Sequence, residues 1–137
     1  KETLMKVDGR CHCGQITFEA EIDPDRVRIC HCTDCQSLSG SAFRLTAPTR
    51  EADFRLLGGQ PKLYVKTAES GARRVQAFCG ECGSPIYATT AGGDNRTFGI
   101  RVGTLRQRAQ LAPKRQFWSR SKLPWLPKLP GDAFESQ

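Results

Sequence analysis

Three cysteines fall within six residues, Cys30-His31-Cys32-Thr33-Asp34-Cys35, and two further thiol pairs flank them, Cys11/Cys13 and Cys79/Cys82. Together they are all seven cysteines of the 137-residue chain. An odd count strands one thiol in any all-disulfide scheme, and the spacings suit bridges poorly. A disulfide needs Cα atoms about 4.4–6.8 Å apart with converging Cβ vectors. Residues two apart on an extended chain instead project to the same face, outward together. Two thiolates so placed aim at a shared metal better than at each other. Phe78-Cys79-Gly80-Glu81-Cys82-Gly83 also has glycines where the tight turn of a zinc knuckle needs them. The thiols therefore read as zinc ligands rather than as a disulfide scaffold or a redox dithiol.

Four ligands complete a closed tetrahedral zinc site, and three match the usual protein share of a zinc site that does chemistry. Two zinc ions per chain are expected on this count. The natural split keeps Cys30, Cys32 and Cys35 together and joins Cys11/Cys13 to Cys79/Cys82. Such a clip closes a loop of about 70 residues, so metal binding would contribute folding free energy to most of the domain. Spacing alone leaves the partition open, since it also permits a mixed assignment such as Cys11/Cys13 with Cys32/Cys35.

The length suits a single domain, residues 1–137, that buries about two-thirds of its unfolded surface. No stretch approaches the ~20 apolar residues of a membrane span, and no apolar signal-peptide core opens the sequence. The expected setting is therefore the cytoplasm, with no membrane partner. The formal charge of +7 falls to about +4 once seven thiolates and two zinc ions are included. The basic excess is local. Between Asp94 and Asp132 lie Arg96, Arg101, Arg106, Arg108, Lys114, Arg115, Arg120, Lys122 and Lys128, with no acid among them. A solvated basic face, a small anionic substrate and nucleic acid are the three readings of that run, in decreasing order.

Hydrophobic periodicity predicts short strands. Ile16, Phe18, Ala20 and Ile22 alternate with polar residues, Val27 and Ile29 deliver the chain to Cys30, and Phe43, Leu45 and Ala47 alternate again up to Pro48. Asp34–Gly40 suits one helical turn. Residues 54–57 and 63–66 flank Gly58-Gly59-Gln60-Pro61, a pairing of strands and glycines that suits a tight connection. Residues 73–78 and 84–88 bracket the knuckle, and Phe98, Ile100 and Val102 form the last clear strand. From Leu111 onward Pro113, Pro124, Pro127 and Pro130 exclude a long helix or a central strand. Phe117, Trp118, Trp125 and Phe134 nevertheless make residues 111–137 too apolar for a disordered end, so this tail is expected to pack over the sheets and cap the open zinc site. The fold class is mainly β, zinc-stapled antiparallel sheets with little helix.

With these motifs in view the chain resembles the glutathione-dependent formaldehyde-activating enzyme family, which includes the domain of centromere protein V. The resemblance runs from Gly9 to about Phe134. It rests on Gly9-Arg10-Cys11-His12-Cys13-Gly14, Cys30–Gln36, Ser39-Gly40, Phe78–Ser84, Val102–Leu105 and Phe117–Leu126. It implies a β-tent-like fold, a structural zinc on Cys11, Cys13, Cys79 and Cys82, and a catalytic zinc on Cys30, Cys32 and Cys35. It also implies a carbon–sulfur lyase activity that joins formaldehyde to glutathione, giving S-hydroxymethylglutathione. The chain departs from the pattern at Gln116, where many relatives carry a histidine before the tail aromatic.

Three thiolates leave a zinc centre at net −1, a weak Lewis acid suited to accepting an exchangeable fourth thiol. The expected partners are a small thiol, such as glutathione, and an aldehyde. Asp34 is a candidate proton shuttle, with a carboxylate at a helix N-terminus as the plainer alternative. His12 and His31 point away from the metal in an extended Cys-x-Cys and are expected to be structural. Ser37, Ser39 and Ser41 are unranked hydrogen-bond donors. Arg44, Arg96 and Arg101 are candidate anchors for a thiol bearing carboxylates. Trp118 and Trp125 are expected in the core or a lid. A second hypothesis makes both zincs structural and assigns the basic tail to nucleic acid or protein. The sequence leaves the oligomeric state undefined.

Overall fold

A computed structural model describes residues 3–136. It contains ten strands and a single α-helix in two sheets, mainly antiparallel. The smaller sheet has the order β1 (Met5–Arg10), β2 (Thr17–Ile22) and β5 (Phe54–Gly58). The larger one uses β3 (Arg28–Cys30), β4 (Arg44–Arg50), β6 (Lys62–Thr67), β7 (Arg73–Phe78), β8 (Pro85–Thr90), β9 (Thr97–Arg101) and β10 (Arg115–Phe117) in the order β10-β3-β4-β9-β8-β7-β6. Only β10 against β3 runs parallel. The mainly β, helix-poor expectation holds.

Alternation in β2 builds the core. Phe18, Ala20 and Ile22 are buried while Thr17, Glu19 and Glu21 between them are half-buried. They pack with Ala47, Ile86 and Ile100 from the larger sheet. An aromatic stack ties the two layers: Phe54 lies 5.3 Å from Phe18 and 5.2 Å from both Tyr87 and Phe98, centroid to centroid. These separations fall within the range of favourable aromatic pairs.

Three local features depart from the sequence reading. Residues 5–10, too polar to suggest a strand, form β1. Met5 and Val7 turn toward the core, and Gly9 allows the close approach to β2, because a Cβ there would overlap the Phe18 ring and the Thr104 carbonyl. The glycine turn after β5 does not close a hairpin. β5 pairs with β2 and β6 with β7, so the turn carries the chain from one sheet to the other. Gly59 makes this crossing with φ near +80°, against the backbone of Gln15, where any side chain would collide. Finally, β4 runs on through Pro48 to Arg50. β3 pairs only with Arg44–Thr46, so at Pro48 one edge of β4 has no ladder bond to lose.

The helix α1 (Thr33–Ser39) begins on Cys32, whose Sγ accepts from the Cys35 N–H at 3.3 Å, and ends on left-handed Gly40. Beyond β10 the tail stays near this helix: the Gln36 amide donates to the Ser121 carbonyl at 3.0 Å. Farther along, Trp125, Leu129 and Phe134 are 47, 74 and 81% exposed. Among the described residues no helix is long and apolar enough to cross a membrane.

Candidate metal centres and the adjoining cavity

All seven cysteines are unbridged, and the fold gathers them into two groups, Cys11/Cys13/Cys79/Cys82 and Cys30/Cys32/Cys35. Within each group the sulfurs lie within 4.8 Å of one another. The alternative pairing of Cys11/Cys13 with Cys32/Cys35 does not occur.

The four-cysteine group forms where β1 ends and where the β7–β8 turn begins. Cys11 and Cys13 are 3.6 Å apart at sulfur, and Cys13 and Cys79 are 3.7 Å apart. Four ligands at 2.3 Å around a tetrahedral zinc would stand about 3.8 Å from one another, so this donor set fits that ion. Backbone N–H groups point at the sulfurs, from Ile16 to Cys11 (3.2 Å) and from Glu81 to Cys79 (3.4 Å). Such donors favour thiolates. The Ser84 hydroxyl and nearby backbone donors likewise hold Cys82 down to about 5.

The three-cysteine group is local. Cys30 is the last residue of β3, Cys32 caps α1, and Cys35 sits in its first turn. All three are half-buried. The Cys35 thiol donates to Cys30 and holds it below the ordinary thiol range, and Cys35 itself is raised. These three sulfurs fit a metal that keeps one position for a non-protein ligand.

They open onto a cavity of about 400 Å³ that Arg28, Arg44, Lys66, Arg74 and Arg101 also line, with Phe117 and Trp118 from the tail. Strand register explains this concentration. Cys30 stands opposite Arg44, Arg28 opposite Thr46, Thr46 opposite Arg101, and Lys66 opposite Arg74. Directly opposed residues share a face, so one side of the sheet collects the cations while the other faces the core. Arg44 and Arg101 both donate to Gln76 Oε1 at 3.1 Å, and Arg101 donates to Thr46 Oγ1 at 2.9 Å. Burial lowers the pKa of each. Among the described residues neither they nor Arg28 and Arg74 make an ion pair with a carboxylate.

Two of the three arginines expected as anchors are therefore beside the thiols, and Arg96 is not. It sits just before β9 while Arg101 ends that strand, a separation of about 17 Å along an extended chain. Its guanidinium meets both carboxylate oxygens of Glu51 and lies over Phe98. Arg28, Lys66, Arg74 and Gln76 went unnoticed in the sequence. Their only signal is period-two spacing in short strands, which becomes informative once register is known. Asp34 accepts from Lys66 Nζ at 2.9 Å and lines an adjoining cavity with Cys32, Trp118 and Arg120.

The remaining candidates hold the site in place. His31 is fully buried, its Nε2 bonded to Gln116 Oε1 at 2.7 Å, and its backbone N–H donates to the Phe117 carbonyl. Gln116 thus ties β10 to the thiol loop. Ser39 donates to the Gln36 and Phe43 carbonyls at the end of α1. His12 is exposed, and its N–H donates to Ser84 Oγ.

A β domain with one four-thiol and one three-thiol group describes the class. The chain belongs to the glutathione-dependent formaldehyde-activating enzyme family, whose pattern matches residues 6–121. It is 26% identical over 95 residues to an uncharacterized lyase of Schizosaccharomyces pombe, a match covering 69% of this chain and 66% of that protein. The chain thus spans just under two-thirds of that relative. Its fold resembles the crystal structure of a Rhodobacter sphaeroides protein, with a TM-score of 0.61 at 22% identity, over 80% of this chain and 98% of the other.

Proposed function

We propose that the protein is a zinc-dependent carbon–sulfur lyase that forms or cleaves a thiol–aldehyde adduct of the S-hydroxymethylglutathione type. The observation that carries this reading is the three-cysteine group opening onto a cavity lined by four arginines that, among the described residues, have no carboxylate partner. The four-cysteine group is assigned a structural zinc. Zinc on Cys30, Cys32 and Cys35 would supply a fourth position where an incoming thiol loses its proton. Arg28, Arg44, Arg74 and Arg101 would bind the carboxylates of that thiol, an ionic recognition that suits glutathione. Gln76 holds two of these guanidinia at a fixed spacing. Phe117 and Trp118 form part of the cavity wall, and alignment of thiol and aldehyde beside them would supply the proximity term, up to about 7–11 kcal/mol. Asp34, paired with Lys66 on the cavity wall, is the candidate to relay a proton to the adduct oxygen. The yeast relative's description as a lyase supports this class of reaction.

The binding-module alternative has weaker support. Three cations of the acid-free run are paired by acids from elsewhere in the chain: Arg96 by Glu51, Arg106 by Asp8 and Arg120 by Glu69. The test is to load the protein with zinc and follow adduct formation from glutathione and formaldehyde by ¹³C NMR. Two zinc ions per chain and acceleration that is lost in Cys32→Ser are expected. Slow equilibration indistinguishable from buffer, with formaldehyde and with larger aldehydes alike, would sink the reading.

A further inference from the structure

A second cavity of about 370 Å³ adjoins the thiol cavity. Tyr64, Phe78, Pro85 and Tyr87 line it, and Leu38, Arg44, Gln76 and Arg101 belong to both. A ligand can therefore run from the three sulfurs, past the two guanidinia, into largely apolar surroundings. We infer that this second cavity is the subsite for the hydrocarbon part of the aldehyde, and that the co-substrate is an aryl or medium-chain alkyl aldehyde rather than formaldehyde. The inference rests on the thiol–aldehyde reading above and specifies its substrate class.

Size is the first argument. Formaldehyde displaces little more than one water, about 30 Å³, and would leave roughly ten waters against the tyrosine, phenylalanine and proline walls. A phenyl or hexyl group displaces several of those waters and buries apolar surface at roughly 25 cal/mol per Å². The second argument lies at the junction. Arg44 is 5% exposed, its Nη1 shares the Gln76 acceptor with Arg101, and its Nε is buried with no partner. Buried donors without partners are rare and costly. A carbonyl oxygen in the shared part of the two cavities would meet the positive charges of Arg44 and Arg101. In the addition the thiol's sulfur–carbon bond forms, the carbonyl π bond breaks, and the thiol proton ends on the oxygen. The charge that develops on that oxygen thus falls where the guanidinia already stand, so no separate oxidant, reductant or leaving group is needed.

The test uses benzyl alcohol, which has the ring and the oxygen of benzaldehyde but cannot add a thiol. It is titrated into the zinc-loaded protein and followed by ¹⁵N NMR. Saturable shifts at Tyr64, Gln76 and Leu38 are expected, with dissociation constants at least tenfold weaker in Tyr64→Lys and Leu38→Arg, both at sites with solvent exposure and checked for folding by circular dichroism. The ratio of kcat/KM for benzaldehyde over formaldehyde, with glutathione, is expected to exceed one and to drop in both variants. Failure of benzyl alcohol to saturate, or binding indifferent to both substitutions, overturns the subsite even if formaldehyde is consumed. Saturable, variant-sensitive binding without consumption of any aldehyde leaves the subsite standing and removes the thiol–aldehyde reading instead.

Discussion

The two thiol groups share one ligand chemistry and differ in how the chain makes them. The four-cysteine group joins segments 66 residues apart, and Cys11 and Cys79 are fully buried members of the hydrophobic core. The three-cysteine group comes from six consecutive residues, is half-buried, and borders a cation-lined cavity. A metal in the first group clips two distant parts of the fold. A metal in the second organises little beyond one helical turn, but it meets solvent and ligand. Stability should therefore concentrate at one group and chemistry at the other.

The strongest break of this contrast comes from exchanging the losses. Cys79→Ser is expected to cost on the order of 10 kcal/mol of metal-coupled folding free energy, removing the cooperative thermal transition seen by circular dichroism. Cys35→Ser should keep that transition within a few degrees, bind one zinc fewer, and lose at least about a hundredfold in adduct formation. Equal destabilisation by both would erase the distinction.

Arg101→Met probes the chemical side alone. Loss of a charge-assisted contact worth about 1.5–3 kcal/mol should raise KM for glutathione at least tenfold, leave zinc content at two, and matter much less for a glutathione diester. Steady-state kinetics with the two thiols would check it.

Two glycines sharpen the stability side. Gly59 packs on Gln15 and Ile16, beside the four-cysteine loop, whereas a Cβ at Gly40, after α1, would meet nothing within 4 Å. Both have positive φ. Gly59→Ala should cost about 3 kcal/mol from strain plus overlap, and Gly40→Ala about 1 kcal/mol from strain alone, as measured by urea unfolding.

The smallest effect involves Asp8, on β1 near Cys11. The Arg106 guanidinium and the Gln107 amide hold its carboxyl below the usual carboxylate range. Its folded-state pKa is depressed, so its stabilising contribution is complete above about pH 4, the unfolded value, and is lost as pH falls through the lower folded value. The stability gap between the native protein and Asp8→Asn should therefore narrow below pH 4, and 1 M salt should shrink it at neutral pH.

Much of this was legible in the residues. The seven thiols, their spacing and the glycines of the Cys79–Gly83 turn pointed to metal ligation, alternation located β2, β4 and β9, and the knuckle located β7 and β8 on either side of it. Other features were hidden for physical reasons. β1 carried only a short apolar signal, Met5 and Val7, because the next inward position, Gly9, yields its space to the Phe18 ring. The Gly58-Gly59 turn resembled a hairpin because local turn chemistry is the same whether the next strand pairs with the last one or leaves for another sheet. Arg96 looked equivalent to Arg101 because both lie in one acid-free run, yet opposite ends of a strand are far apart and Glu51 claims the first.

By itself the sequence determined the kind of ligand, the count of three plus four, the strand-rich class and the family, since each depends on residue type and short-range spacing. Which cysteines share a site, which arginines surround the open one, and how the apolar cavity meets it were decided by tertiary structure. Those outcomes depend on strand register and on sheet order, and both are set by the joint packing of segments that are distant along the chain.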